Sequence, residues 1–219
     1  MNFGKTWIVL ANLVSILFLS WTPGKCLSQD TEWRRLSEQG NTLSEKGQFA
    51  EAEKALLSAL AEAQKFDSED AHLATSQNNL AALYHAQGRY TEAAELYEKA
   101  LGFWESSESP NQMQTSIILN NLAEVHRVCG RYSQAEPLYM RALALRSSLL
   151  GPEDQGVTNV LINLAELSRA QGCYGKAIDQ AQQALSILEK SLGPEHLRVA
   201  MCLHNLGEYY HIDRAVQRS

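Results

Sequence analysis

Apolar residues recur at steps of three and four along most of the chain, the spacing that lines one face of an α-helix. Leu119, Leu122, Val125 and Cys129 keep this step before Gly130, and Ala135, Leu138, Ala142 and Leu145 keep it afterwards. The pattern predicts two amphipathic helices joined at a glycine, the residue that takes the left-handed helix-ending conformation at least cost. The second helix is predicted to run to the next stop, Leu150-Gly151-Pro152. Ser133 with Glu136 matches a capping box opening this helix, and Pro137 is placed close to its first turn, where a missing N–H costs least.

The same phrase is written again elsewhere. GRYTEAAELYEKAL begins at Gly88 and GRYSQAEPLYMRAL at Gly130, and a glycine followed two residues later by an aromatic also occurs as Gly47-Phe49 and Gly172-Tyr174. Asn79-Leu80, Asn121-Leu122, Asn163-Leu164 and Asn205-Leu206 hold a period of 42, which Pro110, Pro152 and Pro194 share. Three registers kept in phase define a repeated supersecondary unit. The predicted fold is all-α, an alpha-alpha superhelix of paired antiparallel helices. Its repeats cover 29–73, 74–115, 116–157 and 158–199, followed by a partial fifth repeat or capping helix over 200–219.

Small residues mark where the paired helices cross, because two backbones approach closely only over short side chains. Ala81, Ala123, Ala165 and Gly207 are expected on the first helices, facing Ala52, Ala93, Ala135 and Ala177 on the second, with Ala59, Ala100, Ala142 and Ala184 two turns further on. Tyr84, Tyr90, Tyr97, Tyr132 and Tyr139 are expected to fill the space between pairs.

The set Asn-Leu-Ala, Gly-x-Tyr, Ala and Ala-Leu resembles the tetratricopeptide repeat, and the 42-residue period resembles the long variant of kinesin light chains. The likeness covers residues 32–219, with two departures. Gln39 stands where the other repeats have Leu, which suits an exposed terminal cap. The fifth repeat has a first helix, predicted from Ala200 to about Ile212, and then reads HIDRAVQRS with no Gly-x-Tyr. Either this half repeat caps the solenoid or oligomerises, or the chain is the front of a longer array.

The resemblance places the first helices along a concave groove, with the Asn of Asn-Leu on its inner face. The candidate peptide-binding residues are Asn79, Asn121, Asn163 and Asn205, joined by Asn78 and Asn120. An amide carries both donors and an acceptor, so a row of them can hold an extended main chain or satisfy groups of the adjacent repeat. Glu124, Glu166 and Glu208 follow the Asn by three residues, and Arg127, Arg169 and His211 by three more, so they share its stripe as ion pairs or as a groove of mixed charge. Chaperone-binding members clamp a terminal carboxylate with Lys or Arg near such an Asn. Here those places hold Thr75, Ile117, Asn159 and Met201, or Asn78, Asn120, Ile162 and His204, which argues against that clamp.

Composition narrows the function classes. The chain is 45% hydrophobic and 20% charged, with a net charge of −6 and no basic run, so no nucleic-acid partner is expected. Residues 1–28 stand apart: Lys5, the apolar run WIVLANLVSILFLSW from Trp7 to Trp21, then small residues at Cys26 and Ser28. This is the form of a secretory signal peptide cut after Ser28, giving a secreted or periplasmic protein. Membrane attachment is expected only if the segment is retained as an anchor. No HExxH, GxSxG, Walker loop or GxGxxG is present, so no enzyme, catalytic residue or cofactor is expected. Cys129, Cys173 and Cys202 form no CxxC pair, and His204 and His211 lie seven apart on one helix, so no metal site is expected. The expectation is an exported, non-enzymatic adaptor binding a protein or peptide, with a homo-oligomer through the C-terminal half repeat as the structural alternative.

Overall fold

The computed structural model describes residues 23–67, 71–108 and 110–218. The helices are α1 (Pro23–Glu45), α2 (Phe49–Ala63), α3 (His72–Ala86), α4 (Tyr90–Ser106), α5 (Gln112–Val128), α6 (Tyr132–Leu150), α7 (Gln155–Ala170), α8 (Tyr174–Leu192) and α9 (Leu197–Gln217). No strand occurs among the described residues, and the fold is all-α. The signal segment expected over 1–28 lies outside the described residues up to Thr22, while α1 begins at Pro23.

The chain divides into two compact units, Met1–Phe66 and Asp67–Ser219. In the first, α1 packs on α2. Gly40 lies on α1 where a Cβ would come within 2.6 Å of the Leu56 side chain, so glycine admits this close approach. Gly40 occupies the register of Ala81, shifted because the first repeat is one residue shorter, Gly47 to Gly88 being 41 residues. The sequence reading missed it for that reason. Gln39, beside it, is exposed as expected.

In the second unit α3 pairs with α4, α5 with α6 and α7 with α8, and the pairs stack into an alpha-alpha superhelix closed by α9 on α8. Each first helix ends on a glycine at positive φ, +77° at Gly88, +72° at Gly130 and +76° at Gly172. The next N–H then bonds back across the turn, Arg131 N to His126 O at 2.8 Å and Cys173 N to Ser168 O at 2.8 Å. These bonds satisfy carbonyls that the helix end would leave bare. The paired helices cross on alanines: Ala81, Ala123, Ala93, Ala135, Ala177, Ala100, Ala142 and Ala184 are fully or almost fully buried, as the small-residue pattern predicts. Tyr84, Tyr97 and Tyr139 are buried between helices, whereas Tyr90 and Tyr132, the first residues of α4 and α6, are half-exposed.

Three local expectations are corrected. The capping box at Ser133 and Glu136 does not form: α6 starts at Tyr132, its cap residue Arg131 contributes no side-chain bond, and Glu136 pairs with Lys176 of α8 at 2.5 Å. The tight turn after Gly130 puts Ser133 already inside the helix. Side-chain caps open the first helices instead, at Asn111, Asp154 and His196. Pro137 is the sixth residue of α6 and lies in its second turn, not its first. Finally, α9 runs from Leu197 to Gln217, beyond the predicted span at both ends. Arg214 stands at the register of Gly130 and Gly172, so no residue there takes the left-handed conformation and the helix continues. Gly207 is exposed and faces no second helix, unlike the alanines of its register.

Candidate functional site

The first helices of the second unit form a continuous layer, α5 touching α3 on one side and α7 on the other. Their repeated polar stripe is half-buried: Asn78, Asn79, Asn120, Asn121, Glu124, Arg127, Asn163, Glu166, Arg169 and Asn205 are neither core nor fully exposed. The predicted residues of one stripe are therefore brought together along successive helices.

The amides bond chiefly to one another. Asn163 Nδ2 donates to Asn120 Oδ1 at 3.0 Å, and Asn120 Nδ2 reaches Asn121 Oδ1 at 3.4 Å. Asn121 in turn is hydrogen-bonded to Tyr97. A relay of side chains thus joins α4, α5 and α7 with no backbone group in it. In the preceding repeat Asn78 Nδ2 reaches Asn79 Oδ1 at 3.4 Å, but Asn78 Oδ1 is buried without a partner. The amide that would mirror the Asn163 bond belongs to Asn121. Asn205 makes no side-chain hydrogen bond among the described residues.

The carboxylates are held twice. Arg127 Nε and Nη2 donate to Glu124 at 2.8 and 2.5 Å, and Tyr139 Oη donates to the same carboxylate at 2.6 Å. Arg169 Nε and Nη2 donate to Glu166 at 3.0 and 2.9 Å, and Tyr209 Oη donates to it at 2.5 Å. Burial by itself raises the Glu124 carboxyl. The hydrogen bonds from Arg127 and Tyr139, with the charges of Arg127 and His85, outweigh it and hold the group below the ordinary carboxylate value. The Arg127 guanidinium is raised in turn, mainly by its bonds to Glu124. Arg127 also hydrogen-bonds the Tyr139 hydroxyl, whereas Nη1 of Arg169 makes no hydrogen bond among the described residues. The tyrosines that complete these clusters lie off the predicted stripe and were not singled out as site residues.

A buried arginine escaped the sequence reading. Arg146 of α6 is 9% exposed and donates to Gly156 O at 2.7 Å and Ser116 Oγ at 3.3 Å, tying α6 to the starts of α5 and α7. Trp104 and Leu188 occupy the same register, so this arginine is a structural member of an otherwise apolar row.

Among the described residues no group of three or more His, Cys, Asp or Glu could hold a metal ion, and no helix is long and apolar enough to cross a membrane. Stacked helix pairs with alanine crossings and glycine turns define a helical-repeat protein. Residues 35–106, 114–190 and 156–214 match the tetratricopeptide repeat family profile, and the chain belongs to that family. No curated protein sequence matches it.

Solved structures with the same fold include BtubC (BKLC) from P. vanneervenii, 27% identical over 84% of this chain and 74% of that one, with a TM-score of 0.73. A putative kinesin light chain of Podosopora anserina with nearly identical repeats is 24% identical over 84% of this chain and 88% of that one, with a TM-score of 0.71. The apo form of RapI is 16% identical over 94% of this chain and 54% of that one, with a TM-score of 0.68. The kinesin-light-chain likeness read from the 42-residue period is found again in these neighbours.

Proposed function

We propose that the protein is an exported, non-enzymatic adaptor that holds an extended protein segment along the polar stripe of its first helices. The observation that carries this reading is the division of labour in that stripe. Glu124 and Glu166 are each held by an arginine and a tyrosine, while Nη1 of Arg169 and the amide of Asn205 make no hydrogen bond among the described residues. What is left over is mainly donors, spaced by the repeat, which suits the carbonyls and carboxylates of a peptide and does not suit a strongly cationic ligand.

The relay through Tyr97, Asn121, Asn120 and Asn163 braces the repeats, so the binding function is assigned to Arg169 and Asn205 ahead of Asn120, Asn121 and Asn163. The test is to pan a random-peptide library on the full chain and to measure a selected peptide against the Asn205→Ala and Arg169→Ala variants. One lost hydrogen bond is worth about 0.5–1.5 kcal/mol, so affinity should fall about two- to twelve-fold for Asn205→Ala, with the melting temperature unchanged. Equal affinity for both variants and the wild type would place the ligand elsewhere.

Export rests on Lys5, the apolar run from Trp7 to Trp21 and the small residues at Cys26 and Ser28. Removing residues 1–28 takes Lys5 and Lys25 and no acid, leaving 17 basic and 25 acidic residues and a mature charge of −8. N-terminal sequencing of the exported fraction should start at Gln29. Intact Met1 on membrane-bound protein would make the segment an anchor, and recovery from the cytosol would overturn both.

A further inference from the structure

Three registers on the first helices are covered in repeats three and four and bare on α9. Leu119, Ala123 and His126 are 0%, 0% and 7% exposed, and Leu161, Ala165 and Ser168 are 5%, 1% and 1% exposed. Their counterparts on α9 are Leu203 at 47%, the exposed Gly207 and Tyr210 at 40%. A cleft of about 440 Å³ runs along this face beside Leu203, Gly207 and His211. A second continues past Tyr210 to Arg214 and Arg218.

The covering element in each earlier repeat is an antiparallel second helix with alanines seven apart: Ala93 and Ala100, Ala135 and Ala142, Ala177 and Ala184. On α9 Arg214 replaces the turn glycine, so residues up to Arg218 run on along the helix axis and do not fold back over the face. A Cβ at Gly207 would meet nothing within 4 Å, which leaves room for a backbone crossing at this point.

We propose that this face docks an antiparallel amphipathic helix of a partner polypeptide, with alanines seven residues apart and acidic residues in its first turn. The alanines would sit over Gly207, as their equivalents sit over Ala123 and Ala165. The antiparallel direction brings the partner's first turn to Arg214 and Arg218, which form no ion pair among the described residues. His204, Glu208 and His211 border the face, with His204 and Glu208 4.0 Å apart, and the two arginines outnumber the single Glu208 carboxylate. The arginines therefore set the charge preference, and the acidic turn answers them. The chain carries a helix of this description in α4, with Glu92 in its first turn and Ala93 and Ala100 seven apart.

The test uses a fluorescent peptide of residues 90–106 titrated into the full chain. Saturable binding is expected, weakened about tenfold or more by Gly207→Leu, which fills the crossing, and weakened also by Arg214→Glu. The melting temperature of Gly207→Leu should be no lower than that of the wild type, because the added side chain enters open space and replaces a glycine inside a helix. Absence of saturation, or binding indifferent to Gly207→Leu, would overturn the proposal. So would sedimentation showing a wild-type dimer that Gly207→Leu returns to monomer, since the face would then belong to a second copy.

Discussion

Ala135→Leu is expected to destabilise the protein by about 1–3 kcal/mol, the usual cost of forcing methylenes into a filled core. Ala135 of α6 and Ala123 of α5 are both 0% exposed, and Ala142 two turns further on is as deeply buried. The helices therefore have no slack at the crossing, and three extra carbons must either part α5 from α6 or distort a rotamer. Ala144→Leu is the control, because Ala144 lies exposed on the same helix and leucine is nearly as good a helix former as alanine. Urea titration followed by helical ellipticity should show a lower midpoint for Ala135→Leu and a shift within about 0.5 kcal/mol for the control. Matching midpoints for the two variants would mean that the crossing is not made at Ala135.

That crossing was legible in the sequence because it depends on one residue type repeated at a fixed interval. Gly-x-Tyr was legible for the same reason, as left-handed turns need glycine. The cap of α6 was not. Ser133 and Glu136 satisfy the written pattern of a capping box, but the pattern carries no information about where the preceding turn delivers the chain. The turn at Gly130 starts the helix two residues too early for Ser133 to act. Gly40 was hidden by a single missing residue in the first repeat, and α9 was drawn short because its expected end was taken from its apolar positions and not from the absent glycine.

The candidate site shows the same division. Its residue types and their common stripe follow from spacing alone. Their wiring does not, because the groups that decide it come from other helices. Tyr97 bonds to Asn121, and Tyr139 and Tyr209 turn Glu124 and Glu166 into internal acceptors. A stripe read by itself presents carboxylates and amides to a ligand; with the tyrosines in place it presents mainly guanidinium donors.

Tyr209→Leu is expected to cost about 2–4 kcal/mol, combining a vacated core volume with the loss of a hydrogen bond to a charged acceptor. Tyr209 is fully buried in a cluster with Ala165, Ala177, Ile178, Ala181 and Leu206, and its hydroxyl reaches Glu166. The repeat explains why a tyrosine is there. Position 181 continues the register of Tyr97 and Tyr139, yet holds Ala; position 209 continues the register of Leu83, Val125 and Leu167, yet holds Tyr. The ring that belongs on the second helix in repeats two and three has moved to the next first helix. From there it supplies Glu166 with the hydroxyl that Tyr139 supplies to Glu124. Ala181→Tyr alone should then overpack the cluster and cost about 1–3 kcal/mol. The double variant restores the combination found at Tyr139 and Leu167, so it should be more stable than either single one, giving a coupling energy of opposite sign to the two losses. Hydrogen exchange across α9 reads the effect directly, because this terminal helix is held by the cluster and should open first when the ring is removed. Losses that simply add in the double variant would show that the two positions do not share one space.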